Sequence, residues 1–361
     1  MFYTEIVREI EKSLYVDGFI SGAPTSKKAK VIKSTSTSIF PEGTFELHKW
    51  HSNVNELEAV SLEPGPEEET YAKEQLNIPS REGASLLGLP WDKENDNIAV
   101  SFPLEKAKPT KRGILSKVPR IYDPLGLASP ISLGGKLLYR DVCDAKRNWD
   151  DKLPNELMQN WVQWEERLPE QLTVPRSLAV HQEEVQTIEL HAFGDASRRG
   201  VAAAVYALVV QESGVKQGLV AARARLTKKG LTIPRLELVS GHMAAYLLTN
   251  VTEELEGFSL TTKYCSSNRV QKIQSHSEVI WRHVGTTANP ADIGSRSGEV
   301  SNHPLWWNGP QWLQHKARWS PDIVPNACQE TLAEAKATRD VFAVAIAETD
   351  ELDTLFEKFS Y

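Results

Sequence analysis

The sequence predicts an α/β fold in its second half, a mixed sheet with helices, preceded by a helical connector and a small β-rich N-terminal region. Three observations predict it. "TIELHAFGDAS" from Thr187, "GVAAAVYALVV" from Gly200 and "GLVAARARL" from Gly218 are apolar runs of strand length separated by short polar turns. "IPRLELVSGHMAAYLLTNVTEEL" from Ile233 has the spacing of a long amphipathic helix, opened by Pro234. "VIWRHVGTTANPADIGSRS" from Val279 reads as a last strand, a loop and the start of a helix.

Taken in order, residues 1–60 start helix-like, and "SLYVDGFISGA" then reads as strand, Asp17-Gly18 turn, strand. "GTFELHKWHSN" at 43–53 is a second β-rich piece. Residues 61–80, "SLEPGPEEETYAKEQLNIPS", are acidic and Pro-rich, the composition of a linker or exposed loop. Two short strands follow, "SLLGLPWD" and "NIAVSFP". From 108 to 180, Pro and Gly separate short helical pieces, and "LPNELMQNWVQWEERLPEQL" puts Trp161, Trp164 and Leu168 on one helical face, where core packing is the expectation. The tail from 314 is charged and helix-prone. The resulting segments are 1–60, a linker and connector at 61–180, the α/β domain at 181–313, and the tail at 314–361.

Composition narrows the functional classes. A chain of 361 residues with 40% hydrophobic content and ten Trp can bury sizeable cores. A net charge of −7 and a pI of about 5.8 leave no global basic footprint, so contact with nucleic acid must be local. Cys143, Cys265 and Cys328 lie far apart without a CxxC pair, which argues against a disulfide framework or a zinc site. That usage fits a reducing, intracellular setting, cytoplasmic or nuclear. "MFYTEIVREIEKSLYVDGF" is charged throughout, unlike a signal peptide, and no uncharged apolar run reaches membrane-spanning length.

Asp195, Glu237 and Asp292 fall at the ends of predicted elements, where side chains from separate segments can point into one cleft. Divalent ions held by such carboxylates activate water and stabilise a leaving oxygen in phosphodiester cleavage. Each acid has an ordinary reading beside this one: Asp195 as a turn residue, Glu237 as an acid near a helix N-terminus, Asp292 as a helix-start acid.

"HAFGDAS", "LVAARARLT", "TIPRLELVSG", "WRHVGTTANPADIGSR" and "LWWNGPQWL" together resemble, in that order, the RNase H region of BEL/Pao-type retrotransposon Pol polyproteins, a region also described as a retrotransposon peptidase. "SLYVDGFISGA" with "FELHKWHSN" resembles the end of the same family's reverse-transcriptase palm, and "LLGLPWD" with "KRGILSKVPRIYDPLGLASPISLGGKLLYRDV" resembles the segment between them. The resemblance implies an RNase H-like mixed sheet behind a connector and a small palm/thumb remnant. It also implies metal-binding and catalytic roles for Asp195, Glu237 and Asp292, with Mg²⁺ or Mn²⁺ as cofactor and RNA:DNA hybrid as partner.

Two departures qualify that expectation. The family places a further Asp on a strand between its helix Glu and its final Asp, whereas residues 238–291 here contain no Asp. "KYC" resembles the entry to that strand and "NRVQKIQ" a segment well past it, so a block including the strand reads as deleted and the sheet as gapped. Glu253, Glu254 or Glu278 would substitute only by chance. The palm's "YVDD" is Tyr15-Val16-Asp17-Gly18 here, one carboxylate short, and only fourteen residues precede Tyr15. The expectation is impaired hydrolysis and no DNA synthesis.

Basic residues supply the local contacts that net charge does not. Lys111, Arg112, Lys117 and Arg120 cluster in the connector, and Arg198, Arg199, Arg223, Arg225, Lys228 and Lys229 around the first strands of the α/β domain. They fit phosphate contacts, or a solvated face that protects a sheet edge. His191, Trp281 and His283 fit strand packing, and Trp306, Trp307 and Trp312 a hydrophobic clasp. Two further functions compete: a non-enzymatic, decayed or repurposed nucleic-acid-binding protein, and an aspartic peptidase. The peptidase chemistry needs two D-T/S-G loops; "DAS" at 195–197 is followed by Arg198, and no second loop exists.

Overall fold

The computed structural model describes residues 2–15, 18–23, 25–45, 47, 50–58, 84–255, 258–266, 280–282 and 284–315. Two compact units emerge. The first comprises Met1–Ala99, Thr173–Glu184 and Gln211–Ser213, and the second Val100–Leu172, Val185–Val210 and Gly214–Tyr361.

The first unit opens with helix α1 (Phe2–Ser13), then strands β1 (Leu14–Tyr15) and β2 (Gly18–Phe19), which pair antiparallel with Leu14 opposite Phe19. The expected hairpin is therefore present, while Asp17 lies outside the described residues. Helix α2 (Ser26–Ile39) begins at Thr25, whose hydroxyl accepts the Lys28 N–H at 3.3 Å, and α3 is Asn55–Glu58. No strand forms among the described residues of 43–53. The chain instead makes a 3₁₀ turn over Phe40–Gly43, and Phe45 is left 68% exposed. Alternation is a strand signal only where a neighbouring strand covers the apolar face, and none does so among the described residues. Strands β3 (Ser85–Leu86), β4 (Leu89–Asp92) and β5 (Asn97–Ser101) match the two short strand runs. They turn back at Leu87 and Gly88, both at positive φ, and β6 (Gln171–Pro175) completes the order β3-β4-β5-β6.

The second unit contains the connector and the mixed sheet. Its helices α4 (Lys111–Lys117), α5 (Ser129–Asp144) and α6 (Asn155–Glu166) close on a core of Ile114, Val118, Tyr139, Val142, Leu153 and Trp161. Trp161 is fully buried and stacks on Trp164 at 5.0 Å, as expected of that face, and Trp164 Nε1 donates to the Ile131 carbonyl at 3.1 Å.

The sheet is built from β7 (Thr187–Ala196), β8 (Gly200–Gln211), β9 (Gly214–Leu226), β10 (Leu260–Ser266) and β11 (Ile280–Arg282) in the order β11-β10-β7-β8-β9. β8 runs antiparallel to β7, while β10 runs parallel to both β7 and β11. This is the mixed sheet expected of an RNase H-like fold. One expectation needs correcting: the strand read as deleted is present. β10 lies beside β7 with Tyr264 opposite His191 and Ser266 opposite Phe193. "LTTKYCS" supplies β-branched and aromatic residues, and Cys265 is fully buried. Only residues 267–279 join β10 to β11, close to the minimum of about a dozen for a parallel crossover.

The long helix α7 (Ile233–Glu254) packs on one face of the sheet, and α8 (Pro290–Arg296) and α9 (Pro304–Asn308) follow β11. The tryptophan clasp is observed. Trp306 is fully buried and donates to the Leu127 carbonyl at 2.9 Å, Tyr206 Oη donates to the Trp306 carbonyl at 2.7 Å, and Trp312 meets Phe193 edge-on at 6.4 Å. The connector belongs to the same packing. Leu133 and Leu137 of α5 bury Ala202 and Ala224, and the Ala222 N–H on β9 donates to the Leu125 carbonyl at 2.8 Å. The loop ending at α5 is thus seated on the outer strand.

Asp123 organises that loop by accepting the Leu127 and Ala128 N–H groups, both at 2.8 Å. Burial pushes its carboxyl up to about 6, against the pull of those N–H donors. A raised folded-state value means that the native state holds the proton more tightly than the unfolded chain. The contribution is thus greatest below the unfolded value of 3.8 and is lost as pH rises to about 6, by at most about 3 kcal/mol. Urea titrations of wild type and Asp123→Asn across this range should show the wild type losing stability relative to the variant.

Candidate active site

Gly194 is where β7, which carries Asp195, meets both α7, which carries Glu237, and Asn289 at the start of α8, which carries Asp292. A Cβ at Gly194 would lie 2.8 Å from the Ser240 carbonyl oxygen and 3.3 Å from the Gly241 nitrogen, so only glycine lets α7 approach β7 this closely. Glu237 sits one turn earlier on α7, buried, and its carbonyl accepts the Ser240 hydroxyl at 2.9 Å. On the other side, fully buried Asn289 donates from Nδ2 to the Gly194 carbonyl at 3.1 Å, while its Oδ1 accepts the Ala291 N–H at 3.1 Å. Asn289 thereby caps α8, the helix that carries Asp292, and ties it to the strand that carries Asp195.

Asp195 is 3% exposed and accepts the Ser295 hydroxyl at 2.5 Å. Burial raises its carboxyl above the ordinary value, the Ser295 hydrogen bond opposes this, and the nearby Asp292 charge adds to the rise. Asp292 is itself held by Arg296, whose Nε lies 2.6 Å from Oδ1. Asn289, Ser295 and Arg296 were not singled out from sequence. The legible signal was Asn-Pro at a helix start, the pattern of an N-cap followed by proline.

Asp292 lies close enough to Asp195 to act on its charge, while Glu237 is buried on the helix that packs against Gly194. Among the described residues, no three His, Cys, Asp or Glu side chains are grouped so as to hold one ion. Ser295 engages Asp195 and Arg296 engages Asp292, and β10 brings no Asp to the site.

The predicted cations divide into several kinds. Lys117 is corrected outright. It is buried, with Nζ 2.6 Å from Glu165 Oε1 and 2.9 Å from the Glu105 carbonyl, because its face of α4 turns toward α6. Arg112 pairs with Asp150 through two hydrogen bonds of 2.8 and 3.0 Å, Arg120 with Glu105 at 3.2 Å, and Arg199 with Asp141 at 2.6 Å. Lys229 pairs with Asp144. All of these pairs are at least partly exposed, so their cations stay near the surface. Arg223 is exposed and Arg225 half-buried on β9, and Lys111 lies over the Trp149 ring. Arg198, Lys228 and Lys229 line an open groove of about 430 Å³ that leads to the start of α7. His191 is buried against Glu189 and stacks on Tyr264, in keeping with packing, whereas His283 lies outside the described residues. No helix of the described residues is long and apolar enough to cross a membrane.

No curated protein matches the chain. A foamy viral protease-reverse transcriptase in complex with double-stranded DNA aligns at 12% identity over 56% of this chain and 38% of its own, with a TM-score of 0.18. The chain thus spans well under half of that protein's length. Residues 110–269 match the model of the Pao retrotransposon-like RNaseH-like domain, a stretch that includes the connector helices, Asp195 and Glu237 and ends before Asp292. Over that stretch, and with its mixed sheet, the chain is similar to the Pao retrotransposon-like RNaseH-like domain.

Proposed function

We infer that this chain binds nucleic acid, RNA:DNA hybrid in particular, is impaired in two-metal phosphodiester hydrolysis, and does not polymerise DNA. The observation that carries the reading is buried Asp195 near Asp292, with Glu237 buried on the helix that packs against Gly194 and no further Asp on β10. Residual cleavage would depend on Mg²⁺ or Mn²⁺ and on Asp292 leaving Arg296. Gly18 in place of the second palm carboxylate supports the loss of polymerisation. A purely binding, non-enzymatic product is favoured by the two side-chain contacts that engage Asp195 and Asp292. An intracellular setting, cytoplasmic or nuclear, belongs to the same reading.

The test is incubation of the full chain with labelled RNA:DNA hybrid in Mg²⁺ or Mn²⁺, beside Asp195→Asn. The expected result is retention of hybrid with little or no cleavage by either protein. Rapid metal-dependent cleavage that Asp195→Asn abolishes would overturn the impairment. Because burial and Asp292 both disfavour the ionised carboxyl, Asp195→Asn should melt no lower than wild type at pH 7.

A further inference from the structure

We propose that the connector carries a binding surface for single-stranded nucleic acid centred on Trp149, outside the acidic junction. Trp149 is a large aromatic on a polar loop, and the residue is 44% exposed. Lys111 Nζ sits 4.6 Å and Arg112 Cζ 5.8 Å from the ring centre. The fold brings together two stretches separated in sequence, 108–112 and 146–152. The Arg112 N–H donates to the Trp149 carbonyl at 3.0 Å, the Leu153 N–H to the Pro109 carbonyl at 3.0 Å, and Thr110 bridges Lys152. Gly113 makes the approach possible, since a Cβ there would meet the Lys108 carbonyl oxygen at 2.0 Å.

Lys111 and Arg112 thus flank one exposed indole, and the two paired stretches also carry Lys108, Lys146, Arg147 and Lys152 beside Asp150 and Asp151. An acidic protein has this basic excess in few places. Aromatic faces stack on any unpaired base, and flanking cations take the phosphates. A duplex hides its base faces, so the aromatic component selects single strands. Hydrogen bonding of Arg112 to Asp150 fixes the loop that presents the ring. The sequence revealed Lys111 and Arg112 but not Trp149, because the pairing of the two stretches is a tertiary contact.

The experiment measures anisotropy of a fluorescein-labelled, mixed-sequence single-stranded 20-mer against the full chain over a salt series. Trp149→Ala should weaken binding about tenfold or more, Trp149→Phe should restore most of it, and Lys111→Gln should lower the salt slope by about one. Unchanged melting of the variants guards against misfolding. Failure of wild type to bind the 20-mer, equal binding of a blunt duplex, or Trp149→Ala within twofold of wild type would each overturn the proposal. Hybrid cleavage is read separately, so the fate of the acidic junction does not decide this one.

Discussion

Gly126→Ala should destabilise the second unit by roughly 4 kcal/mol or more, a drop in Tm of about 10 °C. Gly126 sits at φ +72°, a left-handed conformation that alanine adopts only with strain, and a Cβ there would lie 1.7 Å from the Ala222 carbonyl oxygen. Neither atom is the tip of a flexible side chain, so relief requires the 123–128 loop to lift from β9. Lifting breaks the hydrogen bond from the Ala222 N–H to the Leu125 carbonyl and disturbs the Leu127 carbonyl that accepts the Trp306 indole. Thermal melts followed by far-UV circular dichroism would measure the loss. A Tm within 2 °C of wild type would mean that the loop does not rest on the strand as described.

Lys117→Met should cost about 3–5 kcal/mol in urea titrations, and the paired change Lys117→Met with Glu165→Leu should cost clearly less than the sum of the two single changes. The Lys117 and Glu165 side chains are 3% and 7% exposed. Removing the ammonium leaves a carboxylate out of water with only the Ala107 N–H, at 3.0 Å, to hold it. Removing both charges exchanges the ion pair for apolar volume beside the Trp161 core, which such sites often tolerate. Additive single-mutant costs would show that the two charges are not coupled.

The sheet was legible in the sequence because β7, β8 and β9 are long apolar runs with polar turns, and α7 because its amphipathic spacing follows a proline. β10 was missed for a different reason. Its position was judged from a missing metal-binding residue, but a strand is specified by backbone pairing and side-chain fit to its neighbour, which "LTTKYCS" satisfies without an Asp. The stretch 43–53 differs in the opposite direction: among its described residues no strand forms, and Phe45 stays exposed. Asp195, Glu237 and Asp292 were each readable from motif and element end. Their surroundings were not: Ser295 is 100 residues from Asp195, and Asn289 is 95 from Gly194. Contacts at such separations leave no periodic trace. Lys117 shows the same limit, since nothing in "TKRGILSK" announces that one lysine of the group turns inward.

The seating of the 123–128 loop and α5 on β9 shields the outer side of the sheet. Were the chain severed just before Thr187, its outermost strand would present bare N–H and C=O groups and an apolar strip to any passing polypeptide, the situation from which edge-to-edge aggregation starts. A sheet expressed without its connector should therefore clump at concentrations where the whole chain stays dispersed.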